Sequence, residues 1–205
     1  MLDTSGRKVW GIFGAGEMDE PESLSALTLA ACYYSHSIDE AHARVRLLGS
    51  GAIMLEVIAA GELLANEWAI ESDVWSVTSF TELAREAREL ERWNRLHPTH
   101  EQRKSHVAEC LKGDIPVVAA TDYVRAVPQL IASYIRPHYT VLGTDGFGRS
   151  DTRSQLRNFF EVDRYHIVTA TLASLARASV ISSDLCMEAI EKYGIETERA
   201  SSWNT

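Results

Sequence analysis

The stretch HARVRLLGSGAIMLEVIAAGELLANEWAIESDVWSVTSF, His42–Phe80, decides the fold. Its first part, HARVRLLGSG, is an apolar run that stops at Gly49 and reads as a strand. The next part, Ala52–Ile70, carries Ile53, Val57, Ala60, Leu64 and Trp68 at intervals of three and four, the spacing of one buried face of a helix. The last part, Ser72–Phe80, is rich in β-branched and aromatic residues and reads as a second strand. Strand, helix and strand in that order form the unit of a parallel sheet covered by helices.

The same alternation continues downstream. Thr81–Trp93 reads as a helix with Thr81 positioned to cap it, and Asn94–Gln102 as a polar break around Pro98. His106–Lys112 is a short helix closed by Gly113, and Ile115–Tyr123 a third strand. Ala126–Ile135 is a helix with Pro128 in its first turn, where a missing N–H does no harm. Tyr139–Asp145 is a fourth strand. Thr152–Phe160, Arg164–Ser179 and Ser183–Gly194 are three successive helices. Residues 1–26 form an irregular, polar N-terminal segment, and Ala26–Tyr34 a short apolar element. The expectation is one α/β domain over residues 27–198, three-layered, with a mostly parallel sheet flanked by helices, followed by a tail at 199–205.

Composition narrows the function classes. Of 205 residues, 20 are Lys or Arg and 29 Asp or Glu, a net charge of −9. An acidic chain repels phosphate backbones and anionic membrane surfaces. The best basic cluster, Arg92, Arg103 and Lys104, is broken by Glu91 and Glu101, so nucleic acid is not an expected partner. No run of ~18 apolar residues exists to span a membrane. Three widely spaced cysteines, Cys32, Cys110 and Cys186, imply no disulfide framework and agree with a reducing cytoplasm. The N-terminus does not read as a signal peptide.

Right-handed β–helix connections bring the carboxyl ends of the strands to one edge, where open α/β sheets bind ligands. That edge collects Gly49–Gly51, Thr78–Phe80, Thr121–Tyr123 and Thr144–Asp151. Gly49–Gly51 has two of the three glycines of a dinucleotide fingerprint; Met54 stands where the third belongs, and no acidic residue ends the second strand. It reads as a tight turn. His97, His100 and His106 crowd one region with Glu101 and Cys110, yet lack the spacing of a helical zinc pair. Cys110 reads as a buried, unreactive thiol. No G-x-S-x-G elbow is present. In GTDGFGRSDTR, Gly143–Arg153, the glycines match no phosphate loop and the aspartates no calcium loop. Ser150, Asp151 or Thr152 can cap the next helix, and Thr152 with Gln155 three residues on forms a capping-box pattern. The corner itself requires neither Phe147 nor Arg149, so both are expected to meet another surface.

RVRLLGSG (Arg44–Gly51), SDVWSVTSFTELARE (Ser72–Glu86), ERWNRLHP (Glu91–Pro98), ATDYVRAVPQLI (Ala120–Ile131) and VLGTDGFGRSDTRSQLRNFFEVD (Val141–Asp163), with the closing helix up to Tyr193, together resemble the C-terminal domain of the bacterial homodimeric pyruvate dehydrogenase first component. That is a thiamine-diphosphate-dependent decarboxylating subunit whose C-terminal domain is similar to that of transketolases. The resemblance covers roughly Leu27–Glu198. ERWNRLHP and LGTDGFGRSD are its specific motifs; transketolases carry only a looser FG-x-S form of the second.

The resemblance implies an enzyme that oxidatively decarboxylates pyruvate and passes the acetyl group to a lipoyl group of a partner acetyltransferase. It implies a homodimer with thiamine diphosphate and magnesium held by two preceding domains. The GDG motif that binds them, and the pyrimidine-binding domain with its glutamate, have no counterpart here. No catalytic, cofactor or metal residue is therefore assigned to this chain, and alone it is expected to be inactive. It is read as an excised domain, a truncated product or a stand-alone paralogue. Its expected role is assembly and support of the thiamine-binding domains or of a second subunit. Arg92, Asn94, Asp145, Phe147, Arg149 and Asp151 are the candidate interface residues. Two alternatives stand beside this reading: a non-catalytic module binding a small anion or a protein, and a self-sufficient enzyme built on the histidine-rich segment and Cys110.

Overall fold

In the computed structural model, the structure describes residues 34–36, 41–136 and 138–204. The irregular segment 1–26 and all of the Ala26–Tyr34 element except Tyr34 lie outside them. Four parallel strands form the body of the sheet: β2 (Ala43–Gly49), β3 (Ile70–Ser76), β4 (Val117–Ala120) and β5 (Tyr139–Leu142). A three-residue strand, β1 (Tyr34–His36), pairs antiparallel with β3 at one edge, giving the order β1-β3-β2-β4-β5. The mostly parallel sheet expected from the sequence is thus present, with β1 as its one antiparallel member.

The helices are α1 (Met54–Trp68), α2 (Phe80–Leu96), α3 (His106–Cys110), α4 (Ala126–Gln129), α5 (Arg153–Phe159), α6 (Arg164–Arg177) and α7 (Asp184–Tyr193). Strand side chains alternate between two apolar cores, as a period of two requires. Val45, Leu47, Val74, Val118 and Ala120 meet α1, α6 and α7 on one face. Leu48, Val117 and Ala119 meet Phe80, Ala84, Val107, Leu111 and Ile131 on the other. Helices on both faces make the three layers. The stripe Ile53, Val57, Ala60, Leu64 and Trp68 is buried along its whole length.

Several local boundaries differ from the sequence expectation; Phe80, for one, starts α2 instead of ending the second strand. Ile70 begins β3 rather than ending α1, because Ala69 takes a left-handed conformation (φ 50°) and turns the chain. Ser79, not Thr81, caps α2: its hydroxyl accepts a hydrogen bond from the Glu82 amide at 3.2 Å. Asn94–Leu96 continue α2, so the polar break starts at His97. The Ala126–Ile135 helix divides into α4 and a 3-10 turn at Ala132–Tyr134. From Leu130 onward the amides reach back three residues, Leu130 to Val127 at 3.2 Å and Tyr134 to Ile131 at 3.0 Å. Apolar spacing cannot separate that tightening from an α-helix.

Candidate functional site at the carboxyl edge of the sheet

The carboxyl ends of β2, β4 and β5 are stitched together by short polar contacts. The buried hydroxyls of Ser50 and Thr121 lie 2.7 Å apart. The Thr144 hydroxyl donates to the Asp122 carbonyl at 2.6 Å, and its amide to the Tyr123 carbonyl at 2.9 Å. At the turn after β2, Gly51 has φ +56° and the Asp122 carboxylate packs where a Cβ would stand. Asp122 also accepts a hydrogen bond from the Ala52 amide at 3.3 Å. A carboxylate in that position repels the phosphate a dinucleotide turn would hold. Gly49–Gly51 is therefore a tight turn filled by its own chain.

The Gly143–Arg153 corner is braced from two sides. Asp145 accepts from the Arg125 amide at 2.9 Å and from its Nε at 2.6 Å. Burial pushes the Asp145 carboxyl up, but the hydrogen bonds and charge of Arg125 outweigh it and hold the group below its ordinary value. From the other side the Ser202 hydroxyl donates to the Asp145 carbonyl at 2.6 Å. The Arg125 guanidinium in turn lies over the Trp203 ring, 4.7 Å from its centroid. Gly146 has φ +112°, and a Cβ there would meet the Ser202 carbonyl oxygen at 2.5 Å. Residues beyond 198, set apart as a tail by the sequence, thus pack against the corner; Arg199 also bonds to Asn158 at 2.9 and 2.8 Å.

On this braced corner Phe147 projects into solvent, 81% exposed. Arg149 places its guanidinium 4.3 Å from the Phe159 ring centroid. Asp151 accepts from the Thr152 amide at 2.7 Å, and Thr152 caps α5 by accepting from the Gln155 amide at 3.3 Å. Tyr123, Val124 and Leu55, also on this edge, are exposed apolar side chains, and so is Trp203. The candidate residues therefore separate by role. Asp145 and Asp151 shape the corner, whereas Phe147 and Arg149 face outward from it.

Arg92 and Asn94 do not join this group. Helix α2 starts at the carboxyl edge and runs away from it, and at ~1.5 Å per residue their positions lie roughly 20 Å along it. Arg92 is exposed. Asn94 works inside the chain, accepting from the Arg103 amide and donating to its carbonyl, both at 2.8 Å. This closes the loop so that Arg103 stacks on Trp93 at 3.6 Å, with His97 stacked on the same indole at 4.4 Å.

Among the described residues no group of three or more His, Cys, Asp or Glu side chains is arranged to hold a metal ion. His106 does approach Cys110, Nε2 to Sγ 3.4 Å. Burial, then the neighbouring Glu109 charge, pushes the Cys110 thiol up, which keeps it protonated rather than nucleophilic.

The structure also holds an ionic centre that sequence reasoning missed. Glu56, 5% exposed on α1, accepts from Arg157 Nη1 at 2.8 Å, from Arg164 Nε at 2.9 Å and from the Arg164 amide at 3.1 Å. It binds α1 to α5 and α6 beside the carboxyl edge. The partners lie 101 and 108 residues away in sequence. The available signal was a glutamate set one residue before Val57 in the apolar stripe.

Comparison with known proteins agrees with this architecture. Residues 32–163 match the model of the transketolase-like TK C-terminal domain. The pyruvate dehydrogenase E1 component of Cupriavidus necator is 55% identical over 157 residues, 76% of this chain and 18% of that protein. The one from Pseudomonas aeruginosa is 51% identical over 162 residues, 78% and 18% of the two chains. The Escherichia coli K12 protein is 41% identical over 182 residues, 88% and 20%. The matched region is thus about a fifth of each relative. With the family match spanning most of the helix-covered sheet, the chain belongs to the transketolase-like C-terminal domain family, in the form similar to pyruvate dehydrogenase E1 components.

Proposed function

We propose that this chain is the C-terminal assembly domain of a pyruvate dehydrogenase E1-type enzyme, and that its carboxyl edge is the surface on which the other domains are held. The observation that carries this reading is Phe147: an aromatic 81% exposed on a corner fixed by Arg125 and Ser202. An exposed aromatic on rigid backbone loses little conformational entropy on contact and makes an efficient anchor. Arg149, outward-facing beside it, supplies the polar part of the contact.

The whole enzyme, in this reading, decarboxylates pyruvate oxidatively and transfers the acetyl group to a lipoyl group of an acetyltransferase complex. It works as a cytoplasmic homodimer. The glycine turn at the carboxyl edge does not suit the diphosphate of thiamine diphosphate, because the Asp122 carboxylate fills it. The cofactor belongs to preceding thiamine-binding domains or to a second subunit. Among the described residues no helix is long and apolar enough to cross a membrane.

The test is reconstitution. The chain is mixed with the Cupriavidus necator E1 component shortened by its own C-terminal region, and complex formation is followed by size exclusion. The wild-type chain is expected to co-elute and the double variant Phe147→Ala/Arg149→Ala to elute apart. Unchanged assembly of the double variant removes the role assigned to this corner.

A further inference from the structure

Between the start of α1 and α5 the carboxyl edge opens into a groove. Its floor is apolar, formed by Ile53, Leu156, Phe160 and Val162. Its walls carry Arg149, Arg153 and Arg157 against a single carboxylate, Asp122. Arg157 is satisfied by Glu56 and by the Ala52 carbonyl. Asp122 is occupied by the Ala52 amide. Among the described residues neither Arg149 nor Arg153 is paired with a carboxylate, and Arg149 lies instead over the Phe159 ring. In a chain with 29 acidic and 20 basic residues, two arginines without an ion pair on one groove leave an excess of positive charge over the single carboxylate there. Phe147 stands on the loop that forms one wall of the groove.

We infer that this groove docks an acidic, apolar segment of a partner protein. Aspartate or glutamate carboxylates meet Arg149 and Arg153, and a neighbouring apolar side chain covers Ile53 and Phe160. The inference rests on the interface reading above and names the chemistry of what that interface meets. A protein segment fits better than a free anion because an anion would leave the apolar floor open to water. Arginine suits such a contact, because its fork binds a carboxylate through two parallel hydrogen bonds while its plane stays stacked on an aromatic ring.

The experiment uses a fluorescein-labelled peptide of alternating aspartate with leucine and phenylalanine, its asparagine counterpart, and tripolyphosphate, each titrated against the intact chain by anisotropy or, for tripolyphosphate, competition. The acidic peptide is expected to bind, and to weaken steeply as salt rises from about 0.05 to about 0.3 M. Binding should fall about tenfold or more in Arg149→Gln/Arg153→Gln and by a smaller factor in Arg149→Lys/Arg153→Lys, which keeps the charge but loses the fork and the stacking. Equal binding of the aspartate and asparagine peptides, no binding of either, or indifference to the glutamine variant overturns the proposal. So does displacement by tripolyphosphate at concentrations matching the peptide's own affinity, which would identify a small-anion site. If reconstitution succeeds while the peptide fails, this inference falls and the assembly reading stands. The reverse pattern removes the assembly reading and keeps the docking surface.

Discussion

Glu56 shows how one side chain can set both the shape and the pH response of an edge. Its carboxylate is buried, yet hydrogen bonds from two arginines and a backbone amide surround it. Burial pushes the carboxyl up, but hydrogen bonding to Arg164 and the charges of Arg164 and Arg157 win, and it lies below its ordinary value of 4.5. A carboxyl depressed in the folded state adds stability above its unfolded value and loses it as pH falls through the folded one. The stability contributed by Glu56 should therefore be complete at neutral pH, begin to fall near pH 4.5 and be gone only once pH has dropped through the lower folded value. Asp145 and Asp163 are lowered too and steepen the same acid limb. Glu86 opposes them: burial raises it, so its contribution is present in acid and lost as pH rises through the folded value. Glu56→Gln keeps the shape and removes the charge. It is expected to cost about 2 kcal/mol at neutral pH, the scale of hydrogen bonds to a charged group, and to flatten the acid limb. Urea denaturation at pH 7 and across an acid series from about pH 5 downward checks both; equal stability at pH 7 contradicts the role given to this residue. A glutamate beside the apolar stripe was the one local signal; its partners were not legible, because both are more than a hundred residues away. The exposure of Phe147 could be anticipated for the opposite reason: in a corner accounted for by glycines and caps, it had no local work to do.

The elements themselves were legible where one period dominated. The α1 stripe and the β2 and β4 runs are long or fully buried, so apolar spacing alone located them. Short elements escaped: β1 has three residues and is defined by its pairing with β3 rather than by any pattern of its own. Caps escaped where two candidates stood close together. The Ser79 and Thr81 hydroxyls are 3.0 Å apart, but only Ser79 has extended backbone and accepts from the Glu82 amide. An N-cap is worth about 1 kcal/mol, and a hydroxyl inside the first turn much less. Ser79→Ala should therefore lower the stability of the chain by about 1 kcal/mol, and Thr81→Ala by roughly a third of that or less, in matched thermal melts. Equal losses would return the cap to Thr81.

At the scale of the whole molecule, the corner depends on the chain's last described turn, an arrangement the sequence could not show because Asp145 and Ser202 are 57 residues apart. Residues 199–204 hold the corner from behind through Ser202, Trp203 and Arg199, and at Gly146 there is no room for a side chain against Ser202. Gly146→Ala would force a side chain into a left-handed backbone and against the Ser202 carbonyl, which is backbone and cannot rotate away. The expected cost is about 1–3 kcal/mol, confined to the corner because neither apolar core includes it. The far-ultraviolet circular dichroism spectrum should be unchanged, while reconstitution with the thiamine-binding domains weakens although Phe147 and Arg149 remain. Deleting residues 199–205 should produce the same pair of effects by removing the brace instead of crowding it. If both variants assemble as tightly as wild type, then rigidity of the corner is irrelevant, and Phe147 acts through exposure alone.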